Sequence, residues 1–277
     1  MMTFRSFLHP IFSLVLLWLV AATALGVDSI PGIGPVGEVT QLQTDMKFTE
    51  GPASDGKSNL YFADIPANRV YRVDVAHQLS VALEPSNHAN GLMFDKAGRM
   101  ITCEMDGALV AHNLNSDDRI VLTGEYGGKR YNAPNDLVVD RRGGIYFTDP
   151  RFRSPDPWPQ GKEAFYYRRP NGLVTRLGDN LKAPNGIILS TDEKTLYVIP
   201  SLQKEMMAYP VEEPGIIGEG SVFCTLKQPA GTDNSGGDGL TIDTQGNLYI
   251  TSRLGIQVFS PRGRSLGVIE FSNNRPT

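Results

Sequence analysis

The chain has 277 residues, of which 26 are lysine or arginine and 30 are aspartate or glutamate, so its formal net charge is −4. The basic residues form no stripe, which argues against a nucleic acid as partner. The two cysteines, Cys103 and Cys224, lie singly in apolar stretches and are too few for a disulfide framework, so we expect two buried thiols.

The amino terminus has the features of an export signal. Arg5 provides a positive charge, and the sixteen residues from Ile11 to Gly26 are apolar and end in small side chains. This run is short for a membrane span. We therefore predict a signal peptide over 1–26 and one mature domain over 27–277, exported to the periplasm or the extracellular space without stable membrane association. The alternative is an uncleaved N-terminal anchor.

Five segments of the remaining chain share one plan. Each has a polar residue, then Gly or Asp, a short apolar strand, a turn rich in Asp and Gly, and a second apolar strand. The second positions of the five segments are Gly51, Gly91, Asp136, Gly186 and Gly239, at spacings of 40, 45, 50 and 53 residues. A period of this size, with four short strands in each unit, indicates the blades of an all-β propeller. A β-sandwich with accidental internal similarity is the alternative.

The innermost strands of a propeller all run in the same direction along the central channel. The polar residues that open these strands are therefore expected to meet in a ring at one rim of the channel. These residues are Glu50, Asn90, Asn135, Asn185 and Asp238.

The ring predicts a metal site with oxygen ligands. Glu50, Asn135, Asn185 and Asp238 offer carboxylate and amide oxygens, which suit Ca²⁺, Mg²⁺ or Mn²⁺, and Ca²⁺ best tolerates an irregular cage. No His or Cys belongs to the ring, which disfavours an ordinary zinc site, although Zn²⁺ can still bind oxygen ligands. A bound cation can polarise a carbonyl group, and Asp238 can take a proton from the attacking water.

Single members of the ring have a simpler interpretation, because Asn-Gly and Asp-Gly are common turn sequences. Four such residues in phase favour a site. Asp149 and Glu104 end second strands near the same rim, where each either lines the pocket or closes a turn. The proline-rich segment Arg151–Gln160 is predicted to be a loop with some contact to the pocket.

Several segments resemble, in order, those of the family that contains gluconolactonase, regucalcin (senescence marker protein) and luciferin-regenerating enzyme. The matching segments are TEGP (Thr49–Pro52), APNDLVVD (Ala133–Asp140), YFTDP (Tyr146–Pro150), APNGI (Ala183–Ile187) and GGDGLTID (Gly236–Asp243). The resemblance implies a six-bladed propeller that binds one divalent cation in the channel mouth and hydrolyses lactones, typically sugar lactones.

The same resemblance implies roles for individual residues. Glu50, Asn185 and Asp238 match metal ligands, and Asp238 also matches the acid/base residue. Asn135 matches a residue that contacts the substrate or completes the metal shell. Asn90 and Asp149 are further candidate substrate contacts.

The chain departs from the family pattern in three places. Animal members carry Arg at the position of Ala133, a difference that puts sugar recognition of their kind in question unless Arg130 or Asn132 substitutes. Paraoxonase-like lactonases tend to carry His at the position of Asn90, which counts against that group. Only five of six blade motifs are present, so we expect the last blade to be incomplete.

Two functions follow as expectations. The first is an exported, divalent-metal-dependent lactonase that acts on a sugar lactone or a similar small lactone, with Asp238 as general base. The alternative is a non-catalytic or inactive truncated propeller that binds a metal or a ligand.

Overall fold

The computed structural model describes residues 29–30, 32–35, 41–116, 118–271 and 276–277. The predicted signal peptide lies outside these residues. No helix among the described residues is long and apolar enough to cross a membrane.

The described residues form strands, turns and loops. A short hairpin precedes the blades and consists of β1 (Ser29–Ile30) and β2 (Gly34–Pro35). The first blade comprises β3 (Thr49–Ser54), β4 (Leu60–Asp64), β5 (Arg69–Val73) and β6 (Leu79–Leu83). The second blade comprises β7 (Ala89–Phe94), β8 (Met100–Glu104), β9 (Ala108–Asn113) and β10 (Asp118–Thr123).

A second hairpin leads into the third blade and consists of β11 (Glu125–Tyr126) and β12 (Lys129–Arg130). The third blade comprises β13 (Leu137–Val139), β14 (Ile145–Asp149), β15 (Ala164–Arg168) and β16 (Val174–Gly178). The fourth comprises β17 (Pro184–Leu189), β18 (Thr195–Pro200), β19 (Glu205–Glu213), the short β20 (Ile216–Ile217) and β21 (Ser221–Thr225). The fifth comprises β22 (Leu240–Ile242), β23 (Leu248–Ser252), β24 (Gly255–Phe259) and β25 (Ser265–Ile269).

Each blade is an antiparallel meander of neighbouring strands, so the all-β propeller class predicted from the repeat is confirmed. The predicted number of six blades is not confirmed, because the part of the chain that the structure describes forms five. The inner strands β3, β7, β13, β17 and β22 lie side by side in sequence order.

More than half of the residues in the second strand of every blade are buried. All five residues of β8 and of β14 are buried, as are five of the six in β18. The outermost strands β6, β10 and β16 contain no buried residue. This gradient arises because a second strand has a strand on either side and a neighbouring blade on either face, whereas an outermost strand borders solvent.

The apolar core is divided among the interfaces between consecutive blades. Four clusters of buried apolar side chains lie among the described residues, each joining two successive blades. The cluster between the second and third blades contains the rings of Tyr131, Phe147 and Tyr166, whose centroids are 5.2 to 5.4 Å apart. Cys103 and Cys224 belong to two of these clusters as free buried thiols, as predicted.

The acidic turns of the repeat stabilise hairpins at the end of the channel opposite the ring. In each blade, a side-chain oxygen at the start of this turn accepts a hydrogen bond from a backbone N–H four or five residues later. The acceptors are Asp55, Asp95, Asp140, Ser190 and Asp243. These side chains supply the turn geometry that Asp and Ser favour.

Candidate active site at the rim of the propeller

The five residues that open the inner strands meet at one rim of the channel, as the repeat predicts. Glu50, Asn90, Asn135, Asn185 and Asp238 all line one cavity of about 380 Å³. The first four are at most 9% exposed, whereas Asp238 is partly buried. A concave site of this volume, with convergent polar groups, suits a small molecule.

The most direct contact within the ring joins the fourth and fifth blades. The amide Nδ2 of Asn185 donates a hydrogen bond to Oδ1 of Asp238 over 2.6 Å and another to Oγ of Ser201 over 3.0 Å. Ser201 in turn donates to the carbonyl oxygen of Gly237 over 2.8 Å. Since both donors of the Asn185 amide are engaged, the amide is held in one orientation, and its carbonyl oxygen is the atom that it can offer to a cation.

Glycine follows the ring residue in four of the five units, and at Gly51, Gly91 and Gly186 the inner strands approach closely. A Cβ atom on Gly91 would lie 2.7 Å from the carbonyl oxygen of Asn135, and a Cβ on Gly186 would lie 2.7 Å from that of Asp238. The backbone N–H groups of these glycines donate to the same oxygens over 2.7 and 2.9 Å. Hydrogen bonds between adjacent blades therefore fix the positions of the ring residues.

Asp136 replaces glycine in the third unit and joins two blades through its side chain. Its carboxylate accepts hydrogen bonds from the backbone N–H of Leu137 over 2.8 Å and of Ile187 over 3.0 Å. Burial raises the pKa of Asp136 to about 7, the two N–H groups oppose this rise, and the charge of Asp238 adds to it.

Asp149 lies outside the described lining of the cavity. It is fully buried, and its carboxylate accepts hydrogen bonds from the backbone N–H of Asn132 over 2.9 Å and of Ala133 over 2.8 Å. Burial raises the pKa of Asp149 to about 7, although these two N–H groups favour the charged form. The structure thus gives Asp149 a contact with the loop that leads to Asn135.

Glu104, the other acidic residue at the end of a second strand, belongs to a buried polar cluster between strands of the second blade. Its carboxylate accepts hydrogen bonds from Asn87 and Arg119 and lies 3.3 Å from Nε2 of His112. Glu104 is likewise absent from the described lining of the cavity.

The two residues considered as substitutes for the missing arginine contact the backbone. Arg130 donates to the carbonyl oxygens of Asp106 over 3.0 Å and of Met105 over 3.4 Å, which joins the second and third blades. The side chain of Asn132 donates to the carbonyl oxygen of Lys162 over 2.8 Å. Neither residue is part of the cavity lining in the described chain.

Residues 48–277 match the family described as SMP-30/Gluconolactonase/LRE-like region. The chain belongs to this family. The predicted resemblance is thereby confirmed.

Several known proteins are similar to the chain in sequence or in fold. A gluconolactonase of Zymomonas mobilis is 28% identical over 274 residues, which span 90% of this chain and 76% of that protein. The structure of a gluconolactonase of Xanthomonas campestris superimposes with a TM-score of 0.74 at 31% identity, over 83% of this chain and 78% of that one. A structure of regucalcin from Agrobacterium tumefaciens, described as a calcium-binding protein, has a TM-score of 0.69 at 19% identity, over 82% of this chain and 75% of that one, and shows the shared fold.

The donors of the ring fit a hard divalent cation. Its two carboxylates and its amide groups supply the oxygen ligands that Ca²⁺ accepts in irregular arrangements. No group of three or more His, Cys, Asp and Glu side chains suited to a metal occurs among the described residues. Glu50 and Asp238 are the two carboxylates of the ring, and the amide oxygens of Asn185 and Asn135 are the further protein donors that it offers to a cation.

Sequence reasoning did not single out several residues that line the cavity. Ser201, which contacts Asn185, is one of them. A second set of lining residues follows the second strands, one from each blade: Ile65, Met105, Phe152, Leu202 and Arg253. Each of them lies within three residues of the end of a second strand, so the repeat in the sequence could have identified them. Phe152 also confirms that the proline-rich loop contacts the pocket.

Proposed function

We propose that this family member is a divalent-metal-dependent lactonase, a hydrolase that opens the ester bond of a small-molecule lactone. The gluconolactonases to which it is similar are named for this activity. The convergence of two carboxylates and the amides of Asn135 and Asn185 on one cavity supports the function most strongly.

The residues of the ring have different roles in the proposed reaction. Asp238 acts as general base: it takes a proton from water as the water oxygen attacks the lactone carbonyl carbon. When the ring carbon–oxygen bond breaks, the same proton returns to the leaving oxygen, and the product is a hydroxy acid. The hydrogen bond from Asn185 keeps the Asp238 carboxylate oriented. Asn135 and Asn90 position the substrate. We propose that Asp149 supports the loop before Asn135 and does not contact the substrate directly.

Glu50, Asn185 and Asp238 would hold the cation, and Asn135 would complete its shell. Ca²⁺ suits these oxygen donors best, with Mg²⁺, Mn²⁺ or Zn²⁺ as alternatives. When bound, the cation supplies Lewis-acid polarisation of the carbonyl and makes a water molecule more acidic. Glu50, Asn135 and Asn185 are themselves buried, which limits their own contact with solvent.

The proposal extends to export and architecture. A signal peptide over 1–26 would deliver a single propeller domain, 27–277, to the periplasm or the extracellular space. Six blades remain the proposed architecture. Thr277 supports this, since its Oγ1 donates to the carbonyl oxygen of Thr49 over 2.6 Å and its carbonyl carbon lies 3.5 Å from where a Cβ on Gly239 would be. Thr277 thus lies between the inner strands of the fifth and first blades, the position of a sixth inner strand.

Lactone hydrolysis can be followed as acid release in a pH-stat with the purified protein. We expect turnover with added Ca²⁺, loss of turnover with a chelator, and recovery when Ca²⁺ is restored. A cooperatively folded protein that binds Ca²⁺ but hydrolyses no lactone would overturn the proposal and favour a binding module.

A further inference from the structure

The mouth of the cavity has an apolar side and a polar side. The apolar side consists of Phe48, Ile65, Met105, Phe152 and Leu202, which come from the first four blades and the segments beside them. The polar side consists of Ser201, Asn234, Ser235 and Arg253, which flank Asp238. In blade order, the apolar residues come from the first to the fourth blade, and the polar ones come from the fourth and fifth blades and the loop between them.

The apolar side includes side chains that the fold leaves in contact with solvent. Phe48 is 47% exposed, Phe152 is 49% exposed and Leu202 is 50% exposed. Large apolar side chains that cluster around a cavity mark a binding surface, in contrast to single ones scattered over a protein. These three lie in different blades or loops, yet they border the same opening.

A sugar lactone carries hydroxyl groups on most carbons of its ring and needs donors and acceptors around it. Apart from the ring residues, the first three blades contribute Phe48, Ile65, Met105 and Phe152 to the described lining, and these side chains offer none except the weakly accepting sulfur of Met105. Arg130, a nearby donor, is engaged with the backbone carbonyl groups of Met105 and Asp106 and is absent from the described lining. Hydroxyl groups on this side would lose their water without regaining hydrogen bonds, which disfavours binding.

We propose that the cavity selects lactones with an apolar substituent, such as an alkyl chain, over polyhydroxylated sugar lactones. The lactone ring lies over the ring of oxygen donors, and the substituent packs on Phe152, Leu202 and their apolar neighbours. The polar side, with Arg253, faces the ester oxygens. This substrate class rests on the proposed lactonase function.

The test compares three lactones with the same six-membered ring. δ-Nonalactone carries a butyl chain, δ-valerolactone carries no substituent, and glucono-δ-lactone carries hydroxyl groups. We expect kcat/KM for δ-nonalactone to exceed the values for the other two by roughly ten-fold or more, because each methylene in an apolar pocket contributes to discrimination. Equal values, or a preference for glucono-δ-lactone, would overturn the inference and leave the lactonase function standing. Failure to hydrolyse any of the three would overturn both.

Variants connect the preference to the apolar side. Phe152→Ser and Leu202→Ser should each lower the ratio of kcat/KM for δ-nonalactone to that for δ-valerolactone by several-fold. Leu173→Ser is the matched control, because Leu173 is 59% exposed and lies in the hairpin between β15 and β16, outside the described lining. An unchanged ratio in both mouth variants would show that the apolar side does not bind the substituent.

Discussion

The amide of Asn185 donates a 2.6 Å hydrogen bond to the carboxylate of Asp238, across the boundary between the fourth and fifth blades. The two residues are separated by 53 positions in the chain. This contact makes the proposed base and a proposed metal ligand parts of one unit, so a change in either is expected to affect the other.

Replacement of Asp238 tests the proposed base. Asp238→Asn should lower kcat/KM for lactone hydrolysis by roughly 10²-fold or more, since it removes the proton acceptor and weakens the metal site. Initial rates at saturating Ca²⁺ measure the effect. Asp233→Asn is the control, because Asp233 is exposed in the preceding loop. Comparable activity in both variants would rule out Asp238 as the base.

Calcium should stabilise the folded protein through the ring. At a free Ca²⁺ concentration 100 times Kd, linkage contributes about 2.7 kcal/mol to the free energy of unfolding. For a domain of this size, that corresponds to an increase in Tm of roughly 5–10 °C. Calorimetry with Ca²⁺ and with a chelator measures the shift, and Glu50→Gln should reduce it strongly. A shift of the same size in Glu50→Gln would place the cation elsewhere.

Ser201 is expected to position Asn185 through the hydrogen bond from the amide to its hydroxyl. Ser201→Ala should weaken Ca²⁺ affinity by roughly ten-fold, the size of effect seen when a group that orients a metal ligand is removed. Isothermal titration calorimetry measures the affinity, and raised Ca²⁺ should restore much of the activity. Ser265→Ala, at an exposed position in β25, provides a control. If both variants bind Ca²⁺ like the parent, Ser201 does not position the ligand.

Gly51 tests the close approach of the inner strands. Gly51 has a φ of +57°, and a Cβ there would overlap the carbonyl oxygen of Asn90. Gly56 has a similar φ of +70° but no atom within 4 Å of its Cβ position. We expect Gly56→Ala to cost roughly 1–2 kcal/mol from backbone strain alone and Gly51→Ala to cost roughly 3 kcal/mol or more. Urea denaturation measures both, and equal costs would contradict the packing of β3 against β7.

Asp149 should make stability depend on pH. Its folded-state pKa is raised to about 7 from 3.8, so the folded state binds a proton more tightly than the unfolded state does. The resulting stabilisation is full below pH 3.8 and is lost as the pH rises to about 7, with a slope of at most about 1.4 kcal/mol per pH unit.

Asp149→Asn removes this titration. The free energy of unfolding of the parent minus that of the variant should therefore fall between pH 5 and pH 7, in the window given by the two pKa values, and level off above it. Comparison within the pair cancels the contributions of other titrating groups. A difference that rises with pH would show that the two backbone N–H groups outweigh burial.

Much of the fold could be read from the sequence because its determinants are local and repeated. The acidic turns, such as the one at Asp140, depend on side chains that bond to backbone groups a few residues away. Alternating apolar strands and a regular period then indicate blades. The ring followed from the same regularity, and all five of its members line one cavity.

The sequence by itself determined the family, the propeller class and the ring, since these depend on the order and spacing of short motifs. Only the tertiary structure decided how Asp149 and Arg130 are used: both have polar side chains near the rim, and both contact backbone groups. It also brought Ser201 to Asn185 and Phe152 to the mouth. The physical reason is that a side chain's partner depends on the packing of adjacent blades and on the path of long loops, which connect residues far apart in the chain.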